Sequence, residues 1–195
     1  MKVIGLTGGI GMGKSTSARF LEELGIRIID TDALARKLVG PSQPALSEIA
    51  AVFGSEVIDE TGALRRDVMA RIVFADENKR RLLESILHPR IRERWVEHVH
   101  MEREAGVSVV VVVIPLLYET EAAPLFDFVI CSACSEATQR NRLLARNWSE
   151  AHLQSRIKSQ WPIEMKMDCS SFVVWTEGAL EIHQRQISKL IPKLC

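Results

Sequence analysis

With 195 residues, 47% of them apolar and 26% charged, the chain is long enough to bury one α/β core with insertions and too short for two full-sized domains. Its 25 Lys and Arg balance 25 Asp and Glu, so no net field draws the whole molecule to nucleic acid or an acidic membrane. The longest apolar run, residues 107–117, is too short to span a bilayer. Met1 leads straight into a strand-like segment with no separate basic and apolar leader, so the expected location is the cytoplasm.

The first element is a short apolar strand, Val3-Ile4-Gly5-Leu6, and an apolar stripe at helical spacing (Ala18, Phe20, Leu21, Leu24) follows soon after. Between them Gly8-Gly9-Ile10-Gly11-Met12-Gly13-Lys14-Ser15-Thr16 satisfies the phosphate-loop pattern G-x-x-x-x-G-K-[ST] from Gly8 to Ser15. Glycines let such a backbone turn through positive φ and approach an anion, so that consecutive N–H groups converge on phosphate oxygens at the positive end of the next helix. Lys14 supplies a mobile charge for the β- and γ-phosphates of a nucleotide, and the Ser15 hydroxyl suits the shell of a Mg2+ ion. The pattern lies between strand and helix, where its mechanism requires it.

Gly25 is a good helix terminator, and Ile26–Ile29 forms a second apolar strand that ends in Asp30-Thr31-Asp32. Ligands of open parallel sheets bind beyond the carboxyl ends of strands, which makes both carboxylates candidates for function. Either could instead cap a helix beginning near Ala33. From there to Gly106 the pattern is mostly helical, broken at Gly40-Pro41, Gly54 and Gly62. Its apolar stripes are Leu46, Ile49, Ala50 and Phe53, then Val68, Ile72 and Val73, then Leu82, Leu83, Ile86 and Leu87. Pro89 is expected to interrupt the last of these helices after His88, with Ile91, Trp95 and Val99 continuing an apolar face beyond it. His98 and His100 lack the i, i+4 spacing of two metal ligands on one helical face.

The nearly all-valine run from Val107 to Ile114 reads as a strand buried on both faces at the centre of a parallel sheet. It ends in Pro115-Leu116-Leu117-Tyr118-Glu119 and carries no acid of its own. Phe126–Cys131 and Phe172–Trp175 read as the last two strands, and Leu180, Ile187, Leu190 and Leu194 mark a closing helix. The whole predicts an α/β fold with a doubly wound five-stranded parallel sheet. Residues 135–160 read as two helices joined at Asn147-Trp148, with Ser149 as a cap and Arg140, Arg142, Arg146 and Arg156 crowded along them. Such a segment suits a lid, because arginine binds phosphate oxygens bidentately while closure excludes water. Four cysteines show no disulfide framework, and Cys131-x-x-Cys134 reads as a pair of small residues at a strand end.

Taken in order, the phosphate loop, Ile29-Asp30-Thr31-Asp32 with Ala35-Arg36, Leu87-His88-Pro89, Pro115-Leu116-Leu117-Tyr118-Glu119, Gln139 with Arg142 and Arg146, and Gln160 resemble the dephospho-CoA kinases. The resemblance covers residues 3–167. It implies a core of residues 1–31, 107–134 and 167–195, a helical acceptor-binding insertion at 32–106 and a lid at 135–166. It also implies transfer of the ATP γ-phosphate to the ribose 3′-hydroxyl of dephospho-CoA, with Mg2+ as the metal. Carried over residue by residue, Gly9, Gly11, Met12, Gly13, Lys14, Ser15 and Thr16 bind the nucleotide, Ser15 also contacts the metal, and Lys14, Asp32, Arg142 and Arg146 are catalytic. Asp32, His88, Leu116 and Glu119 are acceptor-side residues.

The lid turn Arg146-Asn147-Trp148-Ser149 is one residue shorter than the family pattern, and Ser170-Ser171 and Trp175-Thr176-Glu177-Gly178 depart from it in a region that the resemblance places near adenine. Another small-molecule kinase shares the same loop, so acceptor-side residues must separate the two. A nucleotide switch is a third reading: Asp59-Glu60-Thr61-Gly62 matches D-x-x-G, but Asn78-Lys79-Arg80-Arg81 lacks the acid of Asn-Lys-x-Asp. Oligomeric state is not legible.

Overall fold

A computed structural model describes residues 1–194; Cys195 lies outside the described residues. The chain forms two compact units, one of Met1–Asp30 with the residues from Val99 onward, the other of Thr31–His98.

The first unit is built on five parallel strands, β1 (Lys2–Gly8), β2 (Arg27–Asp30), β3 (Val109–Val113), β4 (Phe128–Ala133) and β5 (Phe172–Trp175). Their order in the sheet is β2-β3-β1-β4-β5, so the middle strand is β1 and the valine strand β3 is its interior neighbour. The register sets Leu6 beside Val113 on one side and Ile130 on the other. All five β3 valines are buried, because helices cover both faces of the sheet. On one side α1 (Lys14–Glu23) and α9 (Leu180–Leu194) pack Phe20, Leu21, Ile187 and Leu194 against Ile4, Leu6, Val111 and Ile130. The strand expected at 126–131 begins two residues later; Asp127 accepts the Val3 N–H at 2.7 Å and leads into β4.

Three more helices follow β4: α6 (Glu136–Leu144), α7 (Glu150–Lys158) and α8 (Ile163–Asp168). Ser135 and Ser149 cap the first two by accepting from Thr138 and His152 N–H.

The second unit is helical: α2 (Thr31–Leu38), α3 (Pro44–Phe53), α4 (Arg66–Ala75) and α5 (Glu77–Glu104) up to His98. Val39, Ile49, Val57, Met69 and Ile86 form its core. Gly54 and Gly62 take positive φ between helices, as their positions in breaks require. Leu82, expected in the third stripe, is exposed.

Two expectations are corrected here. The helix after β2 begins at Thr31, not near Ala33, so Asp32 sits within its first turn and not at its cap. Pro89 does not interrupt α5, which runs from Glu77 to Glu104. A proline removes one backbone donor and crowds the carbonyl four residues back. Here burial of Ile86, Trp95 and Val99 along the same helix outweighs that local cost.

Candidate active site

β1 ends at Gly8 and α1 starts at Lys14, leaving residues 9–13 as a loop at the carboxyl edge of the middle strand. Gly8, Gly11 and Gly13 have φ of 140°, 74° and 87°. A Cβ on Gly8 would lie 2.1 Å from the Ser132 carbonyl oxygen of β4, so no side chain fits where the loop leaves the sheet. Gly13 caps α1 in the left-handed conformation, and its carbonyl accepts both Thr16 and Ser17 N–H. Lys14 Nζ folds back over the loop to donate to the carbonyls of Gly8 and Gly9, each at 2.8 Å. Ser15 is exposed in the first turn of α1, Thr16 is half-buried, and the Met12 side chain is buried, so Met12 offers a ligand only its backbone. Convergent amides at a helix N-terminus, beside a lysine held on weak neutral acceptors, form an anion site.

Side chains from the far end of the chain hold this loop. Gln139 of α6 donates to the Ile10 carbonyl at 2.8 Å, and Gln160, just past α7, accepts the Ile10 N–H at 2.9 Å. Thr176, immediately after β5, donates its hydroxyl to the Met12 carbonyl at 3.1 Å. Arg142 grips that threonine through both its hydroxyl, at 2.9 Å, and its carbonyl. Glu177 next to it accepts from Ser135 and Thr138, and these hydrogen bonds hold its carboxyl below the usual range.

The loop after β3 presents Leu116, half-buried, and Glu119. Glu119 is tied to Lys166 of α8, whose ammonium is fully buried between the Glu119 carboxylate at 2.7 Å and the Pro115 carbonyl at 2.9 Å. The same Glu119 oxygen accepts Trp161 N–H at 2.8 Å; the other is buried with no hydrogen-bond partner among the described residues. Nearby, burial pushes the Cys131 thiol up to about 11, with Lys166 and Lys14 opposing. Cys134 is also buried and raised by burial, so both behave as small core residues. Beneath the loop, Ser17 Oγ bonds Ser132 Oγ and His183 Nε2, each at 2.8 Å, in a buried polar cluster.

Thus the structure gathers Gly9 to Thr16 and Arg142 into one site, and carries Leu116, Glu119 and the exposed Arg146, on the turn after α6, in the same unit. Asp32 and His88 belong to the second unit: Asp32 exposed at the start of α2, His88 half-buried in α5. Burial lowers the His88 pKa, Arg92 adds to the effect and Glu84 opposes it. Sequence reasoning did not single out Thr176 or Lys166 for a role. Thr176 had one signal, its place at the carboxyl end of a strand. Lys166 had none, because its partner lies 47 positions earlier.

The family model for dephospho-CoA kinase matches residues 2–181. A dephospho-CoA kinase of Bacillus thuringiensis subsp. konkukian is 40% identical over 192 residues, 98% of this chain and 96% of the relative. One from Enterococcus faecalis is 39% identical over 96% and 94%. Among solved structures, TT1252 from Thermus thermophilus superposes with a TM-score of 0.79 at 29% identity, over 100% of this chain and 98% of the other. The dephospho-CoA kinase of Campylobacter jejuni has a TM-score of 0.73 at 23% identity, over 98% and 96%, a likeness of fold.

Proposed function

This chain belongs to the dephospho-CoA kinase family, and on that premise we propose how its residues transfer the γ-phosphate of ATP to the ribose 3′-hydroxyl of dephospho-CoA to give CoA and ADP. The observation that carries the reading is the glycine loop opening α1, with Lys14 laid across it, in a chain matched to the family from residue 2 to 181.

Phosphoryl transfer needs charge and alignment more than covalent help from the protein. Lys14 exchanges the carbonyls of Gly8 and Gly9, which are neutral and mutually redundant acceptors, for charged phosphate oxygens. The backbone of Gly9, Gly11, Met12 and Gly13 and the first turn at Ser15 and Thr16 complete the cradle. Ser15 offers a hard, exposed hydroxyl oxygen, a donor that fits a Mg2+ ion whose other ligands are phosphate oxygens and water. When bound, the ion neutralises charge on the phosphates.

Asp32 orients the attacking hydroxyl and accepts its proton. Arg146, exposed on a turn, is free to reach transferring oxygens, while Arg142, already anchored on Thr176, acts from a fixed position. His88 and Leu116 remain acceptor-side residues by resemblance, while Glu119, bound to Lys166 and Trp161 N–H, supports the loop that carries Leu116. A long acceptor supplies remote binding energy for aligning one hydroxyl.

The test is an ADP-release panel with Mg-ATP and dephospho-CoA, AMP, CMP, adenosine or shikimate as acceptors. Dephospho-CoA should be turned over far faster than the rest. Activity confined to another acceptor would select a different kinase, and tight nucleotide binding without turnover would select a switch or an inactive relative.

A further inference from the structure

Three loop peptides are held by named partners, and the trans peptide bond turns those contacts into a statement about direction. In a trans peptide the C=O and the following N–H point opposite ways. Gln139 holds the Ile10 carbonyl at 2.8 Å, which turns the Gly11 N–H away from α6. Thr176 holds the Met12 carbonyl at 3.1 Å, which turns the Gly13 N–H away from Thr176. Gln160 takes the Ile10 N–H at 2.9 Å, and the Gly9 carbonyl of that same peptide points to Lys14 Nζ at 2.8 Å. Among the described residues neither the Gly11 nor the Gly13 N–H has a hydrogen-bond acceptor.

Gln139 and Thr176 approach the loop from one side. Arg142, one helical turn along α6 from Gln139, bonds the Thr176 hydroxyl at 2.9 Å, and Leu143 beside it would meet a Cβ on Gly11 at 2.9 Å. The two holders are almost wholly buried, Gln139 at 5% and Thr176 at 2% exposure, so neither wanders into solvent. Each carbonyl can only accept, which fixes Gln139 Nε2 and the Thr176 hydroxyl as donors.

We propose that Gln139 and Thr176 are positioning residues that aim the Gly11 and Gly13 N–H groups at the phosphates of the nucleotide. Arg142 serves the same end by fixing the Thr176 hydroxyl. The inference rests on the phosphate-loop reading of the site but not on the identity of the acceptor. It also gives Thr176, in a stretch expected near adenine, a role at the phosphates.

The probe is inorganic tripolyphosphate, which carries phosphates without base, ribose or acceptor. Calorimetric titration of the full chain with tripolyphosphate, ATP and adenosine compares wild type with Gln139→Met, Thr176→Val and Thr176→Ser. A misaimed donor to a charged oxygen weakens binding roughly tenfold. Tripolyphosphate and ATP should therefore lose about the same factor in Gln139→Met and Thr176→Val, adenosine should be unaffected, and Thr176→Ser should bind like wild type. Unchanged tripolyphosphate affinity in both variants overturns the proposal, as does a loss confined to ATP and adenosine. Amide NMR of the wild-type chain provides a test that needs no variant to fold: tripolyphosphate should shift the Gly11 and Gly13 amides strongly and leave Ile10 in place. The reverse pattern overturns the proposal. A wild-type chain that binds neither tripolyphosphate nor ATP would fail the phosphate-loop reading itself, whereas failure on the acceptor panel leaves these titrations intact.

Discussion

Both units bury an apolar core, but apart from Thr31 the buried polar groups among the described residues lie in the sheet unit. Around the sheet, Thr7, Ser17, Ser132, Gln139, Lys166, Thr176 and His183 are buried polar groups, and nearly every one is tied to a loop or strand near the phosphate loop. In the helical unit the core is Val39, Ile49, Val57, Met69 and Ile86, and the ion pairs, such as Arg81 with Glu77 and Arg90 with Glu48, stay at the surface. Directional bonds in a low-dielectric interior fix positions to within a hydrogen bond, and they are costly when one partner is lost. Apolar packing fixes volume more than direction. If the sheet unit aims amides at phosphate oxygens as proposed, directional bonds are what it needs, while the helical unit rests mainly on packing.

The largest expected effect breaks the sheet unit's chemistry without breaking its fold. Lys14→Met should lower kcat about 10³-fold, because the charge matters most as the phosphoryl group moves. Tm should shift by no more than about 2–4 °C, since the bonds to the Gly8 and Gly9 carbonyls lie in a loop and not in the core. A variant that keeps most of its kcat would displace Lys14 from the site.

In the helical unit, Asp32→Asn should lower kcat about 10²-fold with little change in KM for dephospho-CoA, since Asn keeps the shape and loses the base. Its effect on folding should be about 0.3–1 kcal/mol, the value of a carboxylate in the first turn of α2. Unchanged kcat would reduce Asp32 to that helical role.

Buried and exposed ion pairs give the sharpest contrast in stability. Lys166→Met leaves the Glu119 carboxylate with its amide partner Trp161 but no cation, and should cost about 3 kcal/mol by denaturant unfolding. Adding Glu119→Gln should recover a large part of that loss, because the stranded charge goes with it. Arg90→Met in the helical unit breaks a surface pair with Glu48 and should cost only about 0.5 kcal/mol. Equal costs for Lys166→Met and Arg90→Met would erase the distinction between the units.

What could be read from the chain follows the same division. The phosphate loop was legible because its residue types are dictated by chemistry at fixed spacing, and β3 and β5 because continuous apolar runs bounded by turns have few alternatives. Most helical stripes were legible from their period, although Leu82 shows that a stripe wider than its core leaves a member exposed. The path of α5 through Pro89 was not, since the local rule against proline is overridden by packing along a 28-residue helix. Helix α8 was missed because its six residues give too little period to see. Gln139 was visible only through resemblance, Thr176 only as part of a stretch expected near adenine, and Lys166 not at all, because what makes them matter is a carbonyl or carboxylate far away in sequence.

The smallest expected effect is one of pH, and it compares one histidine from each unit. His183 is almost fully buried, edge-on to Phe20 and bonded to Ser17; burial lowers its pKa from the ordinary 6.5, and Arg142 adds to the effect. His88 is lowered by burial as well, with Glu84 pulling the other way. In both, the folded state holds the neutral ring and the unfolded chain takes up the proton more readily. Their stabilising contribution is therefore complete above about pH 6.5 and is lost as the pH falls through that value toward the folded pKa. Tm should drop between about pH 7.5 and about pH 5.5 beyond what the carboxylates contribute. His183→Gln should flatten that slope more than His88→Gln, because no acid opposes the burial of His183. A Tm that rises on acidification would mean that the folded chain holds protonated imidazoles, and equal flattening by the two variants would put the buried polar cluster and the helical core on the same footing.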